Sequence, residues 1–454
     1  MVTSGLSLGN LGAESDHRTE RILPVQPAMR ILHLATSDID GGAARAAYRL
    51  HTTLRQLGQD SLMFVLNRAS QDPSVLSYVP AVNFIARARR RLRGELITRS
   101  LARYKSSRIE DQAMFSDDRS RYCGTIMKQL PSCDVINLHW IANFLDYQDF
   151  FGTRPAQIPV VWRLSDMNPF TGGCHFDDGC GKYAGGCGAC PQLGSSNPAD
   201  LSHQIWRRKQ AALATIDPDM LHLVALNQSV ADDLKRSTLF GKFPVTVIHN
   251  GLDANTFAPR NTTVARQALG LPHEARIVLF GADSVGERRK GFDLLDQALI
   301  GLDKVKGIFL ITVGRGLPHF QARIPHVHFG HLNNDQLLSL IYSAADVFVF
   351  PSHQEMFAKA PLEAMACGTP VIGFEGVGGL PEIVRSRETG ILVGQRDPNA
   401  LRAAIADLLT NPQSRSQMSA NCRRLVLQEY TLDVQTKRYL KLYESIVGHA
   451  ASRR

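Results

Sequence analysis

Residues 346–374 read DVFVFPSHQEMFAKAPLEAMACGTPVIGF. Two apolar runs, Asp346–Phe350 and Thr369–Phe374, flank a helix pattern, APLEAMACG, that Gly368 ends. Strand, loop, helix and strand in one short stretch, with both strands apolar throughout, form the repeating unit of a parallel sheet covered on both faces. The loop holds Glu355, and Glu363 follows eight positions on, inside the helix. Carboxylates so placed can reach two parts of one polyol and accept hydrogen bonds from its hydroxyls. The amides of Met356, Phe357 and Ala358, at the helix start, would face the same ligand. A glycosidase pair must instead flank one bond across a cleft, which two carboxylates one helix start apart are poorly arranged to do.

The same alternation runs through the chain. MRILHLAT (29–36), SLMFVL, DVINLHW, PVVWRL, LHLVALN and PVTVIHN form one series of expected strands, ending at Asn250. RIVLFGA (276–282), IFLITVG, HVHFG, DVFVF, TPVIGF and GILV form a second. Short apolar runs bounded by Gly, Pro and Asn, with helix-length segments between them, predict an α/β protein of two Rossmann-like, doubly wound domains with a cleft between them. The expected divisions are an N-terminal domain over 29–255, a C-terminal domain over 256–430, and a last helix over 431–454 crossing back. HNGLDANTFAPRNTT (249–263) reads as the join.

Bulk properties bound the function. The chain has 454 residues, 44% hydrophobic and 20% charged, which suits two folded domains. A formal charge of +9 favours anionic partners without choosing among them. No apolar run approaches the roughly 20 residues that span a bilayer. Residues 1–28 are polar, lack the apolar core of a secretory signal, and are expected to be a disordered extension. Half of the eight cysteines lie scattered, so a reducing, cytoplasmic setting is expected.

Ligands of open α/β sheets bind beyond the carboxyl ends of the strands, so the loops there hold the candidates. After the first strand, Gly41 and Gly42 open a helix, either to let backbone approach a phosphate or as an ordinary tight turn. After RIVLFGA, Arg288, Arg289 and Lys290 gather at a helix start, which reads either as a site for an anion or as a solvated basic loop. NFIARARRRLRGELITRSLARYK (83–105) mixes eight basic residues with apolar ones. It reads either as a basic helix lying on an anionic membrane, which would make the protein peripheral at the inner membrane, or as a solvated helix packing its apolar side on the N-terminal domain.

Glu355 and Glu363 with EAMACGTPVI and GGLPEIV, VIHNGLDANTFAP at the join, and GHLNNDQLLSLIYSAADVFVFPS together resemble the retaining glycosyltransferases of the large family 4, with the two-domain GT-B fold. The resemblance covers nearly the whole chain from Met29. It implies transfer of a sugar from a nucleotide-sugar donor, UDP- or GDP-linked, to a glycan or lipid-linked acceptor, with no cofactor for catalysis and no nucleic acid as partner. It places Glu355 at the donor sugar, Glu363 at the ribose, Lys290 on the diphosphate, the amides after Glu355 at sugar or phosphate, backbone near Leu332 at the base, and His139 facing the donor sugar. The family's second cation falls at Val285, so Arg288 or Arg289 is expected to substitute. The resemblance further implies that the leaving diphosphate takes the acceptor proton on the face where its own bond breaks. A GT-B epimerase lacks this carboxylate context, and a phosphorylase requires a pyridoxal-phosphate lysine that the sequence does not identify. A zinc-containing nucleic-acid binder leaves the two strand series unexplained.

TGGCHFDDGCGKYAGGCGACPQL (171–193) and the strand before it resemble a subgroup of that family met in exopolysaccharide and O-antigen synthesis, with Ser165 where the subgroup has a His before Asp166. Cys174, Cys180, Cys187 and Cys190 have the spacing of a closed, structural zinc site. Reduced thiols, two disulfides and an iron–sulfur cluster are the other readings. The loop is poor in apolar side chains, so a metal clasp is expected to order it at the acceptor side of the cleft.

Overall fold

The computed structural model describes Met1 and residues 28–108, 114–302, 305–319, 321–394 and 396–452. Apart from Met1 and Ala28, the extension expected over residues 1–28 lies outside the described residues. Strands β1 (Arg30–Ser37), β2 (Asp60–Asn67), β3 (Val75–Ser77), β4 (Val135–Leu138), β5 (Val160–Arg163), β6 (Leu221–Ala225) and β7 (Val245–Val247) form one sheet, ordered β3-β2-β1-β4-β5-β6-β7. Strands β8 (Arg276–Ser284), β9 (Ile308–Arg315), β10 (His326–His328), β11 (Val347–Phe350), β12 (Val371–Phe374) and β13 (Gly390–Val393) form the other, ordered β10-β9-β8-β11-β12-β13. All neighbours pair in parallel. Every residue of β4, β5, β11 and β12 is buried, which is why these strands read as unbroken apolar runs. The edge strand β3 has only three residues, too few to carry a pattern, and is not among the expected strands.

The order of each sheet reverses beside its first strand, between β1 and β4 and between β8 and β11. Those are the crevices where α/β sheets take ligands. The N-terminal half has a core around Phe144, Trp162, Phe170 and Phe240. The C-terminal half has its own around Leu279, Phe348, Met365 and Ile372.

The chain leaves the first half near Leu252 and comes back beside it, where Leu252 pairs with Thr431. The last helix, Leu432–Ser452, then buries Tyr439, Leu442, Tyr443 and Ile446 against Ile31, Val135, Val161 and Val224 of the first sheet. At roughly 1.5–3 kcal/mol for each large apolar side chain, this face holds the C-terminal segment to the N-terminal half. Asn137 donates to the Tyr443 hydroxyl at 2.5 Å inside that contact.

Helix α1 (Gly42–Gln56) follows β1, and helix α2 (Phe84–Ala102) is the basic segment. Asn83 caps α2, accepting from the Ala86 amide. The helix rests on the body through Gly94, over the Arg121 guanidinium, and through Arg93, which bonds Asp146 and the Ser120 carbonyl. Ile85, Leu92 and Leu96 lie within roughly 20° of one line along the helix, opposite Gly94. They are 64%, 64% and 54% exposed. The helix divides between the two readings: Gly94 and half-buried Leu101 face the body, Leu101 packing on the cluster of Phe115 and Leu193, while Ile85, Leu92 and Leu96 face outward among arginines. Among the described residues no helix is long and apolar enough to cross a membrane.

Candidate active site

A cleft of about 1440 Å³ opens between the carboxyl ends of the two sheets. The segments after β1, β4 and β5 line one wall, and those after β8, β9, β10 and β11 line the other. Of the expected site residues, Gly41, Gly42, Arg289, Lys290, Leu332, Glu355, Phe357 and Glu363 face it.

Gly41 stands just before α1 with φ 88°, in the left-handed region, and a Cβ there would meet nothing within 4 Å. Its backbone is therefore open to a ligand at the start of a 15-residue helix. On the opposite wall Lys290 Nζ lies 2.5 Å and Arg289 Nη1 2.9 Å from the same Glu355 oxygen, Oε1. Burial alone would raise the Glu355 pKa; the charges of Lys290 and Arg289 outweigh it and hold the carboxyl below its usual range. Glu355 thus stays ionised and its two cations stay fixed. The Ser352 hydroxyl also donates to Oε1. Glu363 projects from the helix Lys359–Ala366, where it accepts from the Tyr342 hydroxyl at 3.3 Å and lies 3.5 Å from Lys359 Nζ.

The other expected residues lie away from the cleft lining. Arg288 is exposed and outside the cleft, whereas Arg289 lines it. The side chains of Met356 and Ala358 are buried away from the cleft. Met356 instead packs into the core of the N-terminal half, and its carbonyl accepts from Asn227 Nδ2 at 2.5 Å. His139 is also off the cleft: it is buried beneath it, with Nε2 2.9 Å from Nδ1 of His33. The next residue, Trp140, lines the wall, and its indole N–H donates to Asp166 at 2.7 Å.

Asp166 leads to residues that sequence reasoning missed. Its Oδ2 also accepts from Nδ1 of His175 at 2.6 Å, and Nε2 of His175 meets the Ser116 hydroxyl at 2.8 Å. His175 lines the cleft with Asp166, Ser165 and Phe176. The one signal for His175 is its place in the GGCHF turn, beside a cysteine that drew the attention. Arg45, Arg49 and Lys359, also cleft residues, sit in ordinary helix patterns and give no signal.

The zinc clasp is not supported. Cys174, Cys180, Cys187 and Cys190 line one small cavity, yet among the described residues no three His, Cys, Asp or Glu side chains are grouped so as to hold a metal ion. Burial pushes the Cys187 thiol up to about 11 and raises Cys174 and Cys190 as well. Hydrogen bonds and close packing order the loop instead. Buried Lys209 donates to the carbonyls of Asn168 and Thr171. Asp177 accepts from the amides of Gly179 and Gly181, and the Gly172 amide donates to Cys187 Sγ at 3.0 Å. Gly172 passes so close to helix Leu201–Ala214 that a Cβ would stand 2.3 Å from the Ser202 carbonyl oxygen.

Nor does the loop keep to the N-terminal wall. Gln354 Nε2 donates to Asp177 at 2.8 Å, the Asp178 amide donates back to Gln354 Oε1 at 3.1 Å, and Phe176 lies under the Arg289 guanidinium. Further contacts tie the halves together: His249 Nε2 to Glu382 at 2.7 Å, and Arg49 to Asp335 at 2.5 Å.

Residues 261–425 match the family model described as glycosyl transferases group 1. A D-inositol 3-phosphate glycosyltransferase from Geodermatophilus obscurus is 33% identical over 264 residues, covering 49% of this chain and 56% of its own length. The chain spans about half the length of the curated relatives it matches. Among solved structures, sucrose-phosphate synthase from Thermosynechococcus elongatus aligns at TM-score 0.63 and 20% identity, over 92% of this chain and 100% of that one. Anabaena HepE in complex with UDP aligns at 0.60 and 17%, over 92% and 100%. The chain therefore has the GT-B fold, and its residues 261–425 are similar to the glycosyl transferases group 1 family.

Proposed function

We propose that the chain is a retaining glycosyltransferase that moves a sugar from a UDP- or GDP-linked donor to a glycan or lipid-linked glycan acceptor in polysaccharide assembly. One observation carries the reading: Lys290, Arg289 and Glu355 form a fixed ion cluster on one wall of the cleft, Glu363 follows one helix start away, and the open Gly41–Gly42 backbone faces them from the other wall. In this reading Lys290 and the start of α1 take the diphosphate, Glu355 orients the donor sugar and Glu363 holds the ribose. As the sugar–phosphate bond breaks, the departing phosphate oxygen takes the acceptor hydroxyl's proton on the same face, so configuration is retained. The cations stabilise the charge that develops on the phosphate, and the fixed geometry supplies orientation.

That HepE was solved with UDP supports a nucleotide donor. The name of the curated relatives makes a phosphorylated cyclitol the second acceptor class to test. The outward apolar and basic stripe of α2 supports docking on an anionic membrane, where a lipid-linked acceptor would be met.

A thermal-shift screen of UDP, GDP and their sugars tests the donor. The true donor raises the melting temperature with increasing concentration. A flat response to every nucleotide would remove the reading.

A further inference from the structure

The family's second diphosphate cation is missing at Val285, which is buried here. Arg288 lies outside the cleft, and Arg289 is turned into Glu355, Glu287 and the Gln354 carbonyl. Two further cations stand on the opposite wall. Arg45, Tyr48, Arg49 and Thr52 of α1 all line the cleft, at the spacing that puts residues on one helix face. Arg49 is anchored across the cleft on Asp335, at the start of helix Asp335–Ala344. Arg45 lies one turn nearer the helix start, roughly 6 Å along the axis, between that anchor and the open backbone of Gly41. Nε of Arg45 and Nη1 of Arg49 are buried without a hydrogen-bond partner among the described residues. Buried donors left unpaired call for an explanation, and cations that face a cleft call for an anion.

Lys359 completes the group from the other wall, next to Glu363. Burial lowers the Lys359 pKa first; Glu363 opposes this, and the charges of Arg49 and Arg45 add to it, so the three cations share one field.

We propose that Arg45 and Lys359 form a second phosphate-binding pair for the donor's diphosphate, Arg45 from the wall opposite Lys290 and Lys359 from the same wall as Lys290, and that the pair stands in for the cation missing at Val285. The proposal rests on the glycosyl-transfer reading. It adds that the diphosphate is held by cations from both halves. The neighbouring carboxylates fit this assignment: Asp335 neutralises Arg49 and Glu363 is reserved for the ribose, which leaves Arg45 for phosphate oxygens.

Calorimetry with inorganic pyrophosphate, UDP, GDP and uridine on the full chain tests it. Arg45→Ala should bind pyrophosphate and the preferred nucleoside diphosphate about ten- to hundred-fold more weakly, the range for losing a charged hydrogen bond. Arg45→Lys should recover part of the loss, and weak uridine binding should not change. An unaltered melting curve without ligand shows that the variant is folded. Arg45→Ala that binds pyrophosphate and nucleoside diphosphate like wild type overturns the proposal. So does a variant whose only defect is a raised KM for a phosphorylated acceptor, which would assign the cluster to the acceptor. Wild type that binds neither UDP, GDP nor pyrophosphate overturns the donor reading itself, and this proposal with it.

Discussion

The guanidinium carbon of Arg289 lies 4.2 Å from the centre of the Phe176 ring. Arg289 in turn holds Glu355, so one aromatic contact links the cysteine loop of the N-terminal half to the ion cluster of the other. The loop therefore belongs to both walls of the cleft, not to the acceptor side alone.

Phe176→Ala should for this reason weaken nucleoside-diphosphate binding as well as acceptor use. An exposed to partly desolvated cation–π pair is worth about 0.5–2 kcal/mol, or a two- to thirty-fold loss. Calorimetry on the variant checks this, and an unchanged donor affinity would confine the loop to the acceptor.

Glu363→Ala should cost about 1–3 kcal/mol of nucleoside-diphosphate affinity through a lost charged hydrogen bond. Tyr342→Phe removes only a hydroxyl that bonds Glu363 and should have a smaller effect. Equal losses in the two variants would mean that Glu363 serves the helix packing and not the ribose.

The buried histidines predict an acid limit to stability. Burial lowers the pKa of His33 and His139 well below 6.5, and each also feels the positive charge of a neighbouring histidine; His51 is lowered to about 4, again by burial. The unfolded chain binds these protons near pH 6.5 and the folded chain does not. Stability is therefore complete above that pH and falls as pH drops below it, by about 1.4 kcal/mol per pH unit for each histidine. The melting temperature of wild type should fall between pH 6.5 and 4.5. His139→Gln should start lower at neutral pH and fall less steeply. Parallel curves for the two proteins would assign the acid loss to other groups.

Vesicle co-sedimentation tests α2. The chain should bind vesicles containing phosphatidylglycerol and release them at high salt. Replacing Ile85, Leu92 and Leu96 together by Ser should reduce binding at least about ten-fold, because each large apolar side chain contributes roughly 1.5–3 kcal/mol when buried. Equal binding by the triple variant would leave the exposed stripe without this role.

The strands were legible because both faces of each sheet are covered, so burial leaves its mark on nearly every residue. The carboxylates were legible because their chemistry is unusual after an apolar strand. Their partners were harder to see. Lys290 and Glu355 are 65 positions apart in the chain, and only the parallel order of β8 and β11 brings them together. The place of His139 has a simple geometric reason: successive side chains leaving a strand point to opposite sides, so a shift of one residue gives the cleft to Trp140 and the interior to His139. The order of the cysteine loop was not legible either, because it comes from Lys209, Asp177 and helix Leu201–Ala214, which local composition does not register.

The most direct test follows a nucleotide sugar by proton NMR with the full chain and a hydroxyl acceptor. The account predicts release of nucleoside diphosphate together with a product that keeps the donor's anomeric configuration, and a loss of about a hundred-fold or more in Glu355→Gln. An inverted product, or a Glu355→Gln variant with wild-type turnover, would contradict it.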